Sequence, residues 1–396
     1  MTVGLNNLSD LLRKRIAVAA YYFVPGVVFA SWASRIPDVK QMLHLTNSQL
    51  GSVLFAIPIG QLLMMAFSGV LVSKFGSKKM ILLAEVLYAL VLFSIGSSST
   101  VFQLILSLVA FGMMANLMNI ATNTQACLVE KMYGRNIMSS FHGLWSLGGF
   151  SGGIIGAVFA NTLLPIEAHF GTILAMSLVI IAVGFRFLVD DATAKAEEED
   201  VPKFSFRTID PILFLLGLMG FAGMFCEGTV YDWSGVYFSS VVKPDEAFIR
   251  AGYVAGMGAM TLGRFLADGF VTKYGPARVL KVCGGLIVGG LWLAAALPYL
   301  IPATFGFLLV GFGISSSVPI CYSIAGKLGT IKASIAITIV SSISFFGFLV
   351  GPPVIGWLAE ATGLRIAISI AACLGLMIAF VATKVSKRIS IDTDRA

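Results

Sequence analysis

Twelve stretches of this chain stay apolar for about 20 residues or more, and that feature leaves few ways for it to fold. They fall at roughly 15–34, 48–73, 79–98, 101–128, 135–162, 169–189, 211–239, 249–272, 277–298, 303–326, 333–358 and 364–384. At 1.5 Å of rise per residue each can cross the ~30 Å hydrocarbon layer of a bilayer as a helix. Barrel strands are excluded, since they would alternate apolar and polar residues over shorter segments. With 57% hydrophobic and 12% charged residues and a mean hydropathy of +0.91, the chain cannot cover a water-soluble surface. The expected fold is therefore an all-α integral membrane protein of twelve transmembrane helices.

Orientation follows from the basic residues, because lysine and arginine are retained in short cytoplasmic loops. With a cytoplasmic N-terminus, the outer side receives only Arg35, Lys40, Lys243, Arg250 and Arg365 of the 27 basic residues, and Arg264 lies within a run. Both termini are then cytoplasmic. The net charge of +7 reads as a topology signal, with no nucleic-acid partner. Cys127, Cys226, Cys283, Cys321 and Cys373 all fall in apolar runs without metal or disulfide spacing, and read as small buried hydrophobes. The first run lacks a small-residue cleavage site after Arg35 and is expected to remain as a helix.

The long polar stretch begins at Asp190-Asp191 and continues through Glu197-Glu198-Glu199-Asp200, dividing six runs from six. It predicts a bundle over 1–189, a solvated cytoplasmic linker over 190–208 and a second bundle over 209–396. The halves match at an offset near 200: Lys74-Phe75-Gly76 meets Lys273-Tyr274-Gly275, Ile155-Gly156 meets Ile355-Gly356, and Trp32 meets Trp233. A duplicated six-helix unit with a cytoplasmic centre implies parallel repeats, with a solute site expected near midplane between the halves.

Polar groups inside apolar runs are costly and point to function. Glu227 and Asp232 stand in the run from Pro211 to about Ser239, and Glu227 is about 25 Å along a helix from Asp210. Burial disfavours the charged form of such an acid while a nearby cation favours it. Both acids are candidates for proton coupling, with Arg35 the expected cation. Candidate solute contacts are Trp32, the one-turn pair Asn119 and Asn123, His142 with Trp145, Glu227, Tyr231 and Tyr322. Arg264 and Asp268, spaced i,i+4, are expected to pair as a structural element of the cytoplasmic gate. Glu85 and Glu130 are expected nearer the cytoplasm, within reach of loop cations.

These residues resemble the major facilitator superfamily, and within it the YbjJ-like branch of bacterial inner-membrane permeases. The resemblance spans nearly the whole chain and rests on Ser31-Trp32-Ala33-Ser34-Arg35-Ile36-Pro37, on Phe141-His142-Gly143-Leu144-Trp145-Ser146, on Glu227 with Asp232-Trp233-Ser234, and on Gly347 to Gly363. Gly69 to Lys79 looks like the superfamily's signature loop, but Ser73 stands where that pattern has aspartate. Relatives in the branch tend to carry aspartate at the position of Asn119. The resemblance implies a monomeric multi-pass inner-membrane protein. It implies a secondary transporter, moving a small polar or amphipathic solute by alternating access with protons in symport.

No glycine-lysine phosphate loop, metal-spaced cluster or nucleophilic triad is present in the sequence, so neither an enzyme nor a cofactor is expected. Two other readings remain. One is a proton-driven exporter of amphipathic or toxic compounds; the other is a membrane sensor or scaffold built on a transporter fold.

Overall fold

The computed structural model describes residues 2–133, 137–162, 164–191, 211–328 and 333–393, and among them there is no strand. Most of the predicted linker, 192–208, lies outside the described residues. The helices are α1 (Thr2–Met42), α2 (Asn47–Leu54), α3 (Ala56–Phe75), α4 (Ser77–Gly96), α5 (Val101–Tyr133), α6 (Met138–Ala160), α7 (Ile166–Phe185), α8 (Pro211–Tyr237), α9 (Ala251–Tyr274), α10 (Pro276–Ala296), α11 (Leu300–Lys327), α12 (Ala333–Thr362) and α13 (Leu364–Thr393). The run at 48–73 is thus two helices interrupted at Phe55. Pro58 explains the break, because it has no N–H to return to Leu54. Eleven stretches among the described residues are long and apolar enough to cross a membrane, with α2 and α3 counted as one. The remaining run, at 249–272, corresponds to α9, which has 24 residues but carries Arg264 and, in its last turn, Lys273.

The chain divides into two compact units, Met1–Leu43 with Val53–Glu199, and His44–Ser52 with Asp200–Ala396. In the first, α1 packs on α6, α3 and α4 pack on α5, and α4 packs on α7. In the second, α8 packs on α12, α9 and α10 pack on α11, and α10 packs on α13. The same pairing order recurs, helix for helix. The duplication read from Lys74-Phe75-Gly76 and Lys273-Tyr274-Gly275 recurs in backbone detail as well. Gly76 has φ 83° and its N–H reaches Val72 O at 2.9 Å; Gly275 has φ 79° and reaches Val271 O at 2.9 Å. A residue with a Cβ rarely adopts this backbone, so glycine is what lets each helix pair turn within one residue.

Close approach in the first unit depends on small residues. A Cβ on Gly26 would lie 2.3 Å from Trp145 O, and one on Gly148 would lie 2.2 Å from Phe23 O. These contacts run α1 and α6 side by side in the same direction. In the second unit, residues 47–51 of α2 lie against α12, where Gly51 faces Pro352 and Gly356, and Glu360 accepts the N–H groups of Asn47 and Ser48 at 3.1 and 3.3 Å.

Three expectations are corrected. Glu85 does not meet loop cations: it is 1% exposed, and neither carboxyl oxygen has a hydrogen-bond partner among the described residues. Eight residues of helix, about 12 Å, separate it from the start of α4. Asp191 is no solvated linker residue. Its carboxylate accepts Ser77 N at 3.0 Å and Ser77 Oγ at 2.6 Å, capping α4, and Gln125 donates to the same Ser77 hydroxyl at 2.7 Å. Of the cysteines, Cys127 and Cys373 are exposed rather than buried, because each falls on the outer face of its helix.

Candidate functional site

In the second unit the polar centre is built on α8. Glu227 is 16 residues from Pro211, about 24 Å along the helix, and so lies at membrane depth. Its Oε1 accepts Arg264 Nη2 from α9 at 3.2 Å and the Tyr231 hydroxyl, one turn along α8, at 3.4 Å. The side chains of Glu227 and Arg264 are 12% and 23% exposed, so the pair is partly open rather than sealed. Tyr322 from α11 is half-buried and close enough to feel the Glu227 charge. Arg264, Tyr231 and Tyr322, from three helices, therefore converge on one carboxylate. A charge-assisted bond of this kind depends on Glu227 being ionised and weakens when it takes a proton.

Arg264, expected to pair with Asp268, is joined to Glu227. The side chain of Asp268 lies outside the described residues. Asp232 does not join the centre. It is 5% exposed, five residues from Glu227 and thus turned well round the helix, beside Tyr253, whose hydroxyl has no hydrogen-bond partner among the described residues.

In the first unit a second polar set forms where α1, α5 and α6 meet. Tyr22 donates to Asn123 Oδ1 at 2.6 Å, and Asn123 Nδ2 donates to Asn119 O at 2.9 Å and Asn119 Oδ1 at 3.1 Å. The ring of His142 stands edge-on to Tyr22 at 5.2 Å, and Phe29 lies 6.5 Å from both Trp145 and Phe111. Asn119 and His142 are exposed; Asn123 and Trp145 are half-buried. An exposed amide or imidazole at membrane depth belongs against water, not lipid.

Tyr22, not singled out from the sequence, is the hub of this set. Of the aromatic residues on this part of α1, Phe29 joins the set, while Tyr21 and Trp32 are wholly buried. Trp32 is therefore corrected from solute contact to core packing, its size and 0% exposure leaving it no open face.

Arg35 is buried, and its Nε donates to His169 Nδ1 at 3.2 Å while Nη1 meets Asp38 at 3.1 Å. These contacts fasten α1 to the first turn of α7, where His169 stacks on Phe159 at 4.9 Å. Asp38 and His169 are thus among the partners of Arg35, the cation expected for an acid of α8. Glu130 takes a local role, accepting Ile137 N at 2.7 Å beyond the end of α5.

Residues 18–330 match the family model described as Major Facilitator Superfamily. An uncharacterized MFS-type transporter of Yersinia pestis is 32% identical over 380 residues, covering 95% of this chain and 97% of that one. An uncharacterized transporter of Sinorhizobium fredii is 31% identical over 375 residues, covering 94% and 98%. In three dimensions the nucleoside transporter NupG superposes with a TM-score of 0.72 over 94% of this chain and 99% of its own, at 14% identity, a likeness of fold. The extent of the family match, the near full-length relatives and the twice-repeated pairing of helices lead to one conclusion: this chain belongs to the Major Facilitator Superfamily and is a multi-pass membrane transporter.

Proposed function

We propose that the chain is a secondary active transporter of the inner membrane, with both termini cytoplasmic, that moves a small polar solute by alternating access in symport with protons. The observation that carries this reading is the Glu227–Arg264 pair, a carboxylate at membrane depth held by a cation from the neighbouring helix and partly open to its surroundings. Ionised, Glu227 holds Arg264 and Tyr231 on a single oxygen. Protonated, it loses the charge that strengthens both bonds, and α8 and α9 are less tightly tied. A proton can move the conformational equilibrium only by interacting differently with the two states, and a Glu227–Arg264 pair made in one state and released in the other gives it that difference in this reading.

Proteoliposomes loaded with a pH-sensitive dye test the proposal. Polyols, amino acids and nucleosides are added outside one at a time. The transported solute should acidify the lumen as it enters, and a protonophore should abolish its accumulation. Accumulation that survives the protonophore, or uptake without acidification, contradicts proton symport. Entry of solute coupled to proton exit would instead favour the exporter reading.

A further inference from the structure

One buried acid of the first unit has no part in the sites described above. Glu85 is 1% exposed on α4, among Ile81, Ala84 and Ala89, each wholly buried. Neither carboxyl oxygen has a hydrogen-bond partner among the described residues, and no cation among them pairs with it. Ser177 of α7 is also wholly buried, and its Oγ has no partner among the described residues.

These two groups face one another. Lys78 lies over the Phe185 ring at 5.2 Å, and a Cβ on Gly96 would lie 2.8 Å from Phe170 and 3.4 Å from Ile166, so α4 and α7 run antiparallel. Glu85 is seven residues past Lys78 and eleven before Gly96; the same steps along α7 from Phe185, Ile166 and Phe170 end at Leu178, Ser177 and Ile181. Seven and eleven residues are each within about 20° of whole helical turns, so Glu85 lies on the face of α4 that meets α7. Ser177, seven residues from Phe170 and eleven from Ile166, lies by the same count on the face of α7 that meets α4.

The third side is α1. The Tyr21 hydroxyl donates to Ile181 O at 2.9 Å, and Tyr21 is close enough to feel a charge on Glu85. Three helices thus bring a carboxyl and two hydroxyls together in a closed core. The titratable neighbours are Tyr21 and, one turn along α4, Tyr88. Lys78 is two turns away toward the start of α4, and His169, eight residues from Ser177, is two turns away toward the start of α7. Counted from the Ser77–Gln125 and Ser94–Ser107 bonds, α5 presents Leu117 and Asn116 opposite Glu85, and neither ionises. The one ionisable residue of α3 is Lys74, in its last turn.

We infer that this junction of α1, α4 and α7 is a proton-binding site, where Glu85 sits as a neutral carboxylic acid, sealed from solvent until α4 and α7 part. An ionised carboxylate in apolar surroundings, with no donor and no cation, loses its hydration without compensation, and taking a proton removes that penalty. As an acid Glu85 has one O–H to give. Tyr21 Oη, whose own proton is committed to Ile181 O, and Ser177 Oγ are acceptors that a side-chain rotation brings into reach. A metal ion would ask for about six oxygens, more than one carboxyl and two hydroxyls supply. This proton is separate from that of Glu227, and the inference stands whether or not Glu227 couples transport.

Infrared spectra of the purified full-length protein near neutral pH test this, because the C=O stretch of a neutral carboxyl is resolved from the carboxylate bands. Glu85→Gln should lose one neutral-carboxyl band of the parent, and Glu227→Gln should keep it. Ser177→Ala or Tyr21→Phe, whichever removes the acceptor, should shift the frequency of that band, and this comparison serves if Glu85→Gln does not fold. After transfer to D2O the band should move to its deuterated position slowly, at the rate at which the junction opens. The inference is overturned if Glu85→Gln removes no band, if Glu227→Gln removes it instead, if neither hydroxyl variant moves it, or if deuteration is complete on mixing. It is overturned equally if sodium chloride, against choline chloride, stabilises the parent and not Glu85→Gln, since a metal cation would then stand where we place the proton.

Discussion

Gly148→Ala tests whether the contact of α1 with α6 sets the geometry of the first unit's polar set. The added Cβ would lie 2.2 Å from Phe23 O, 3.1 Å from Phe23 C and 3.2 Å from Gly26 Cα, all backbone atoms that no rotamer change can move aside. Ordinary contact begins near 3.4 Å, so the helices must part locally by roughly 1 Å. Overpacking of this kind costs about 1–3 kcal/mol. Tyr22 and Phe29 ride on the displaced stretch of α1, so both the Tyr22–Asn123 bond and the Phe29–Trp145 contact should loosen along with stability. Thermal unfolding of the purified variant should show a lowered midpoint, and solute affinity should fall with it. Gly69→Ala is the control, because a Cβ there meets nothing within 4 Å. If Gly148→Ala unfolds and binds like the parent and like Gly69→Ala, the close approach is not what holds the set together.

Three further outcomes are expected. Arg264→Met and Glu227→Leu, measured for thermal stability alone and combined, should be non-additive by about 0.5–3 kcal/mol, because each single change leaves the other partner's charge unpaired; additive losses would mean the pair is not coupled. His169→Leu should lower the unfolding midpoint, because it removes the acceptor of the buried Arg35 Nε, while His169→Gln, which keeps an acceptor, should retain part of the stability; a parent-like midpoint in His169→Leu would refute the contact's role. Asp191→Ala should cost about 0.5–2 kcal/mol as the cap of α4 is lost, with Asp191→Asn retaining part of it; a wild-type unfolding midpoint in Asp191→Ala would show the cap to be idle.

What the sequence disclosed and what it hid divide along a physical line. Apolar length and repeated turn residues are local signals, so the helices, the duplication and the glycine turns at Gly76 and Gly275 could be read directly. Partner choice is tertiary. Arg264 had an acid four residues away in Asp268, yet the partner described here is Glu227, 37 residues earlier in the chain. His169 gave no sign of itself, because nothing in its neighbourhood marks a bond to Arg35 134 residues away. Adjacent tyrosines in α1 went opposite ways, Tyr21 bonding to Ile181 O inside the core and Tyr22 reaching Asn123. Their 100° separation is decided by which neighbouring helix lies on each side, and Pro25 further blurs the count along α1.

The most direct test of the central claim is made on Glu227→Gln in proteoliposomes, comparing gradient-driven accumulation with solute exchange in the same preparation. Glutamine keeps the shape and a hydrogen-bonding oxygen for Arg264 and Tyr231 while fixing the neutral form. If Glu227 is the proton-responsive group, the variant should exchange solute near the parent rate at equal concentrations on both sides and fail to accumulate it when a pH gradient is imposed. Accumulation with the parent's pH dependence would contradict the account and move the proton to another group.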